Sequence, residues 1–144
     1  MKLQQQVCSL DLARKLKELG VKQESYFWWV QSTLGSWHIW NENPNAISYP
    51  DLVFVSAFTV AELGEMLHDE NLIINTMSTS PGGEPHQWCV SLADHIEHIQ
   101  AHSKKHKEGI SEVYHNEHVE IEDTEADARA KMLCYLLENK LIVV

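Results

Sequence analysis

Four histidines in the second half of the chain have the spacing of a metal site on one helix. His95, His98, His102 and His106 are separated by three, four and four residues. On a helix this spacing places them within roughly 80° of one another. His98 and His102, at i and i+4, form a standard two-ligand pair for zinc, nickel or copper. The alternative is a polar, histidine-rich face that holds no cofactor and binds Zn²⁺ or Ni²⁺ only adventitiously.

Four of the five tryptophans form a second candidate site, for a partner or a ligand. Trp28, Trp29, Trp37 and Trp40 fall in two aromatic runs around a glycine-containing loop, which predicts an antiparallel hairpin over residues 26–41. Tryptophan rings anchor protein interfaces and stack on bases. They also fill cores, so either both faces of this hairpin are buried or some rings are exposed for binding.

Motifs that carry catalysis are absent from the sequence. It contains no P-loop, no G-x-G-x-x-G and no G-x-S-x-G nucleophile elbow. Cys89 and Cys134 have apolar neighbours, which favours small core residues over nucleophiles. Acidic residues on the predicted helices are expected to form solvated faces: Glu62, Glu65, Glu125, Asp127 and Glu138. We therefore expect no enzymatic activity.

The formal net charge is −10, from 21 acidic and 11 basic residues. Such a field repels phosphates, which argues against binding to nucleic acid or to an anionic membrane. It is compatible with a basic protein partner, or with solubility alone. The three cysteines form no CxxC pair, and no stretch of the sequence resembles a signal peptide or a membrane span. We expect a cytoplasmic protein.

Local patterns predict helices over residues 9–19, 60–67 and 125–138. Thr59 and Glu62 have the spacing of a capping box, and Gly20 and Asn139 are suited to left-handed helix ends. Strands are predicted over 51–55, 71–78, 86–92 and 112–121, in addition to the aromatic hairpin; 71–78 and 86–92 form a second hairpin. Segment 93–109 is either a solvated helix or a loop.

These elements indicate an α+β fold in one domain, residues 1–144. We expect an antiparallel sheet of about four to six strands, built from the two hairpins, with three to four helices packed on it. A chain of 144 residues is long enough for one domain with its own core.

Three segments resemble a group of small bacteriophage and prophage proteins of unknown function. The segments are CSLDLARKLKELGVKQES at 8–25, SAFTVAELGEML at 56–67 and TEADARAKMLCYLLEN at 124–139. The resemblance implies a phage or prophage origin and brings no catalytic motif and no ligand. The histidine-rich segment lies outside it.

The resulting expectation is a non-enzymatic phage or prophage accessory protein that binds a host or phage protein. It would act through its acidic surface or through exposed aromatic rings. The alternative is a protein that binds a small ligand or a metal, using the histidine-rich segment 95–106 or the aromatic hairpin 26–41.

Overall fold

The structure is a computed structural model that describes residues 2–44, 51–68, 72–79, 87–94 and 118–143. The described residues contain three α-helices, which are α1 (Leu10–Glu18), α2 (Val60–Met66) and α3 (Glu125–Glu138). They also contain six strands, which are β1 (Trp28–Gln31), β2 (Trp37–Trp40), β3 (Phe54–Ser56), β4 (Leu72–Thr79), β5 (Gln87–Asp94) and β6 (His118–Glu122). The predicted α+β class is confirmed.

Within the described residues, the strands form two antiparallel sheets of three strands each. Sheet 1 has the order β2-β1-β3 and sheet 2 the order β4-β5-β6. Both predicted hairpins are present, as β1–β2 and β4–β5. We expected the two hairpins to share a sheet. Instead, β3 occupies the free edge of β1 and β6 occupies the free edge of β5, so each hairpin is completed by a strand that follows it.

Helix α3 lies at the centre of the core and joins the two halves of the fold. It contacts α1, α2, β5 and β6, and α1 in turn contacts β3. Its buried side chains lie on more than one face of the helix: Ala126, Ala128, Ala130, Met132, Leu133, Cys134 and Leu136. The alanines allow neighbouring elements to approach closely. On α2, a Cβ atom at Gly64 would force the guanidinium of Arg129 to move.

The helix ends follow the sequence signals closely, with one difference. Gly20 ends α1 with φ 89°, and the N–H groups of Gly20 and Val21 bond to carbonyls of the last turn. At the end of α3 the left-handed residue is Lys140, with φ 58°, whereas we predicted Asn139. Asn139 has φ −89° and donates its side-chain amide to the Tyr135 carbonyl at 2.8 Å, so the chain reverses one residue later.

Two predictions fall largely outside the described residues. Segment 93–109 was expected to be a helix or a loop; its first two residues continue β5, and 95–109 lie outside the described ranges. The strand expected over 112–121 is described only from His118 onward, where it is β6.

Candidate functional site

The first turn of α2 is organised by the carboxylate of Glu62. The Thr59 hydroxyl accepts the Glu62 N–H at 3.2 Å, and Glu62 Oε2 accepts the Thr59 N–H at 2.8 Å. The Thr59 hydroxyl also donates to Glu62 Oε2 at 2.7 Å. The predicted capping box is therefore confirmed.

The same carboxylate holds the segment that precedes β1. Glu62 Oε1 accepts the backbone N–H of Tyr26 at 3.1 Å, and Oε2 accepts the hydroxyl of Ser25 at 3.2 Å. We expected Glu62 on a solvated helix face. That expectation was wrong, because its carboxylate is half-buried and accepts hydrogen bonds from a segment 36 and 37 residues away in sequence.

These contacts form one wall of an acidic pocket of about 550 Å³. The pocket lies between the segment before β1 and the outward side of α2, and its lining residues are Glu24, Ser25, Tyr26, Glu62, Glu65 and Met66. Three glutamates thus line one space. Tyr26 is 77% exposed, so its ring is accessible from solvent. Glu24 pairs with Lys22 at 2.8 Å, and both side chains are largely exposed.

Other acidic helix residues are also paired rather than simply solvated. Asp127 Oδ1 accepts the backbone N–H of Ser9 at 2.6 Å, which ties the start of α1 to the first turn of α3. Glu125 pairs with Arg129 at 2.7 Å. Glu138 pairs with Lys15 at 2.8 Å, and this hydrogen bond raises the pKa of the lysine.

Glu65 is exposed, as the sequence predicts. It is therefore the member of the acidic pocket on α2 that is open to solvent.

The aromatic hairpin presents its tryptophans on two opposite faces of sheet 1. Trp28 and Trp40 are cross-strand partners and share one face, which leaves Trp29 and Trp37 on the other. Trp28 is only 1% exposed, and the other three are half-buried. Trp29 and Trp37 pack against the core. The role of the four residues in binding stays a prediction, and they do not form a single exposed platform.

Specific polar contacts position two of these rings. Trp29 Nε1 donates to the Cys8 carbonyl at 3.0 Å, which joins β1 to the segment before α1. The guanidinium of Arg14 lies over the ring of Trp37, 4.8 Å from its centroid. Both contacts are typical of rings that hold a fold together.

Among the residues that the structure describes, two buried polar atoms on the opposite face of sheet 1 have no hydrogen-bond partner. They are Trp28 Nε1 and Ser56 Oγ, which belong to residues paired directly across β1 and β3. Trp28 makes an edge-on contact with Phe54, with ring centroids 5.5 Å apart. Buried groups of this kind carry a desolvation cost that no hydrogen bond offsets.

The predicted metal ligands His95, His98, His102 and His106 lie outside the described residues. The metal site therefore stays a prediction. Among the residues that the structure does describe, no group of three or more His, Cys, Asp or Glu side chains could hold a metal.

His118 is the histidine with the most defined surroundings in the described ranges. Its ring stacks on Tyr135 of α3, with centroids 3.5 Å apart and planes within 2°. Its Nε2 lies 2.7 Å from Glu120 Oε1. The ring stack joins β6 to α3, whereas the contact with Glu120 lies within β6.

Burial favours the protonated form of all three cysteine thiols. Burial raises the pKa of Cys8 to about 12 and that of Cys134 to about 11. Cys89 is half-buried, and burial raises its pKa as well. All three thiols are free. Raised pKa values oppose the formation of a nucleophilic thiolate.

No family model matches the chain, and neither the curated proteins nor the solved structures give a match. The resemblance to phage proteins therefore stays a prediction. Among the described residues, none of the helices combines the length and the apolar character needed to cross a membrane.

The capping role of Glu62 is predicted by the sequence, whereas the pocket is not. Glu24, Ser25 and Tyr26 come before β1, while Glu62 and Glu65 belong to α2. No local pattern brings two such segments together. The one sequence feature that marks this segment is the run Glu24-Ser25-Tyr26, which places polar residues directly before the aromatic strand.

Proposed function

We propose that this protein is a non-enzymatic accessory protein of the phage or prophage kind, and that it binds a partner protein with a basic surface. It acts in the cytoplasm and requires no cofactor. The observation that supports this function most directly is the acidic pocket beside α2, which is lined by three glutamates and an exposed tyrosine.

The chemistry of the pocket suits a lysine or arginine side chain of the partner. Glu24 and Glu65 are exposed and supply negative charge, whereas Glu62 is engaged in fixing the wall. A cation in the pocket would also lie near Tyr26, and the face of an aromatic ring attracts positive charge. The ion pair of Glu24 with Lys22 is exposed, so exchanging it for a partner's cation costs little.

The overall charge supports the same kind of partner. A chain of net charge −10 attracts basic proteins over long range at low salt and repels acidic ones. Nucleic acid is disfavoured for the same reason.

The test compares the proteins that immobilised variants capture from host lysate at about 0.1 M salt, where the screening length is about 10 Å. Glu65→Lys reverses one charge in the pocket. Glu18→Lys makes the same change at an exposed position on α1 and serves as the control. We expect Glu65→Lys and Tyr26→Ser to lose a basic protein that the original chain and Glu18→Lys retain. Equal capture by all four proteins would show that the pocket is not the binding site.

A further inference from the structure

Strand β6 turns its polar residues toward the protein and its apolar residues toward solvent. Its three inward residues are half-buried: His118, Glu120 and Glu122. His118 stacks on α3, and Glu122 pairs with Lys131 of the same helix. Val119 and Ile121 point the other way and are exposed. An antiparallel strand with one solvated face normally places its apolar residues toward the core and its polar residues toward solvent.

The side chains beside Val119 and Ile121 on this face of sheet 2 are uncharged. The strand register places Met77, Cys89 and Ile121 side by side in one row and Asn75, Ser91 and Val119 in the next. We call these six residues the outer face of sheet 2. Met77 is 53% exposed and Ile121 is 54% exposed, whereas Ser91 on the middle strand is buried, at 6%. None of the six side chains carries a charge, in a chain with 32 acidic and basic residues.

We propose that two copies of the chain associate through the outer face of sheet 2. Copies with a net charge of −10 repel each other wherever their charged surfaces meet. The outer face of sheet 2 is uncharged, so two copies can approach there at low electrostatic cost. A twofold axis makes such a contact self-complementary, with Met77 and Ile121 of each copy covered by the other. A strongly charged partner would find no opposite charge on this face.

Cys89 provides a probe at the centre of the proposed contact. It lies on the middle strand, between Met77 and Ile121. Two packed sheets are about 10 Å apart, so the Cys89 thiols of two copies would be within reach of a short bis-maleimide. Cys8 and Cys134 are buried, at 0% and 2% exposure, and will not compete for the reagent in the folded protein.

The experiment measures the mass of the full chain by light scattering as its concentration rises, together with bis-maleimide cross-linking. Ile121→Lys places a charge on the outer face of sheet 2. Val53→Lys is the matched control, because Val53 is 55% exposed and lies next to sheet 1. The apolar patch is small, so we expect a dimer with a dissociation constant on the order of tens of micromolar. Ile121→Lys should weaken it at least tenfold, and Val53→Lys should leave it unchanged.

Cross-linked dimer should form with the original chain and disappear in Cys89→Ser. A chain that stays monomeric at all concentrations would overturn the proposal, as would a dimer that Ile121→Lys leaves intact. A monomer whose Cys89 reacts slowly with a simple maleimide would overturn it too, since another part of the same chain would then cover the face. Circular dichroism of both lysine variants confirms that each is folded.

Discussion

Replacing Glu62 by alanine should destabilise the protein by about 2 kcal/mol. The carboxylate accepts the backbone N–H groups of Thr59 at 2.8 Å and of Tyr26 at 3.1 Å. Each of these bonds contributes roughly 1 kcal/mol net, since the donor is left without its partner when the acceptor is removed. The hydroxyls of Thr59 and Ser25 also donate to Glu62, but they can rotate toward water, so we assign them no further loss.

Urea unfolding followed by tryptophan fluorescence measures this difference, because Trp28 is buried in the folded state. A loss of about 2 kcal/mol corresponds to a decrease in Tm of roughly 4–8 °C for a chain of this size. Glu62→Gln keeps one acceptor oxygen and should lose about half as much. Glu65→Ala removes an exposed carboxylate from the same helix and should stay within about 0.5 kcal/mol of the original chain. If Glu62→Ala were as stable as Glu65→Ala, the carboxylate would not be holding the segment before β1.

The remaining predictions at this level concern individual side chains. Lys140→Gly should stabilise the protein by about 0.5–1 kcal/mol in the same urea assay, because φ is 58° there and a Cβ atom is strained in that region; Lys140→Ala, which keeps the Cβ atom, should give no such gain. Ser56→Ala should stabilise by about 1 kcal/mol, because it removes a buried hydroxyl that has no partner in the part of the chain that the structure describes; destabilisation would indicate that the hydroxyl is bonded. An aromatic disulfide reagent at pH 8 should modify Cys89 first, and Cys8 and Cys134 only in denaturant, since burial raises their pKa values to about 12 and about 11. The ordinary pKa of a cysteine is 9.0. Above that pH the unfolded chain loses the Cys8 proton while the folded chain retains it, so the free energy of unfolding should fall as pH rises. A free energy of unfolding that stays constant between about pH 9 and 11 would contradict the raised pKa of Cys8.

The features that the sequence predicted are those that depend on neighbours within one turn of helix or one hairpin. Thr59 and Glu62 form their capping box because a helix places residues three apart within hydrogen-bond reach. Gly20 ends α1 because its missing Cβ atom allows a positive φ. Asn139 was the wrong choice for the end of α3. Its side-chain amide donates to the Tyr135 carbonyl while its φ stays negative, and Lys140 takes the positive φ instead.

The features that were missed depend on contacts between distant segments. Glu62 bonds to residues 36 and 37 positions away, and Asp127 accepts an N–H from a residue 118 positions away. Acidic residues on a helix look solvated when only the helix is considered. The pocket beside α2 therefore could not be predicted, because the sequence contains its lining residues but does not show that they lie together.

The sequence of β6 alone also does not indicate which face of the strand meets the core. Its sequence alternates between polar and apolar residues, which fixes two faces but not their direction. The aromatic ring of Tyr135 and the charge of Lys131 on α3 offer partners for a histidine and a glutamate. Because α3 supplies those partners, the polar face turns inward and Ile121 is left exposed.

The two proposed surfaces should respond to salt in opposite directions. Binding of a basic protein at the pocket beside α2 depends on unlike charges, so it weakens as salt screens their attraction. Association of two copies through the outer face of sheet 2 is opposed by the net charge of −10 on each copy. Salt screens that repulsion while leaving the apolar contact between the uncharged faces intact, so self-association should strengthen. A single salt series from about 0.05 to 0.5 M, over which the screening length falls severalfold, thus separates the surfaces without any substitution. If both interactions weakened together, the outer face of sheet 2 would have to be making charged contacts, and an uncharged interface between copies would be excluded.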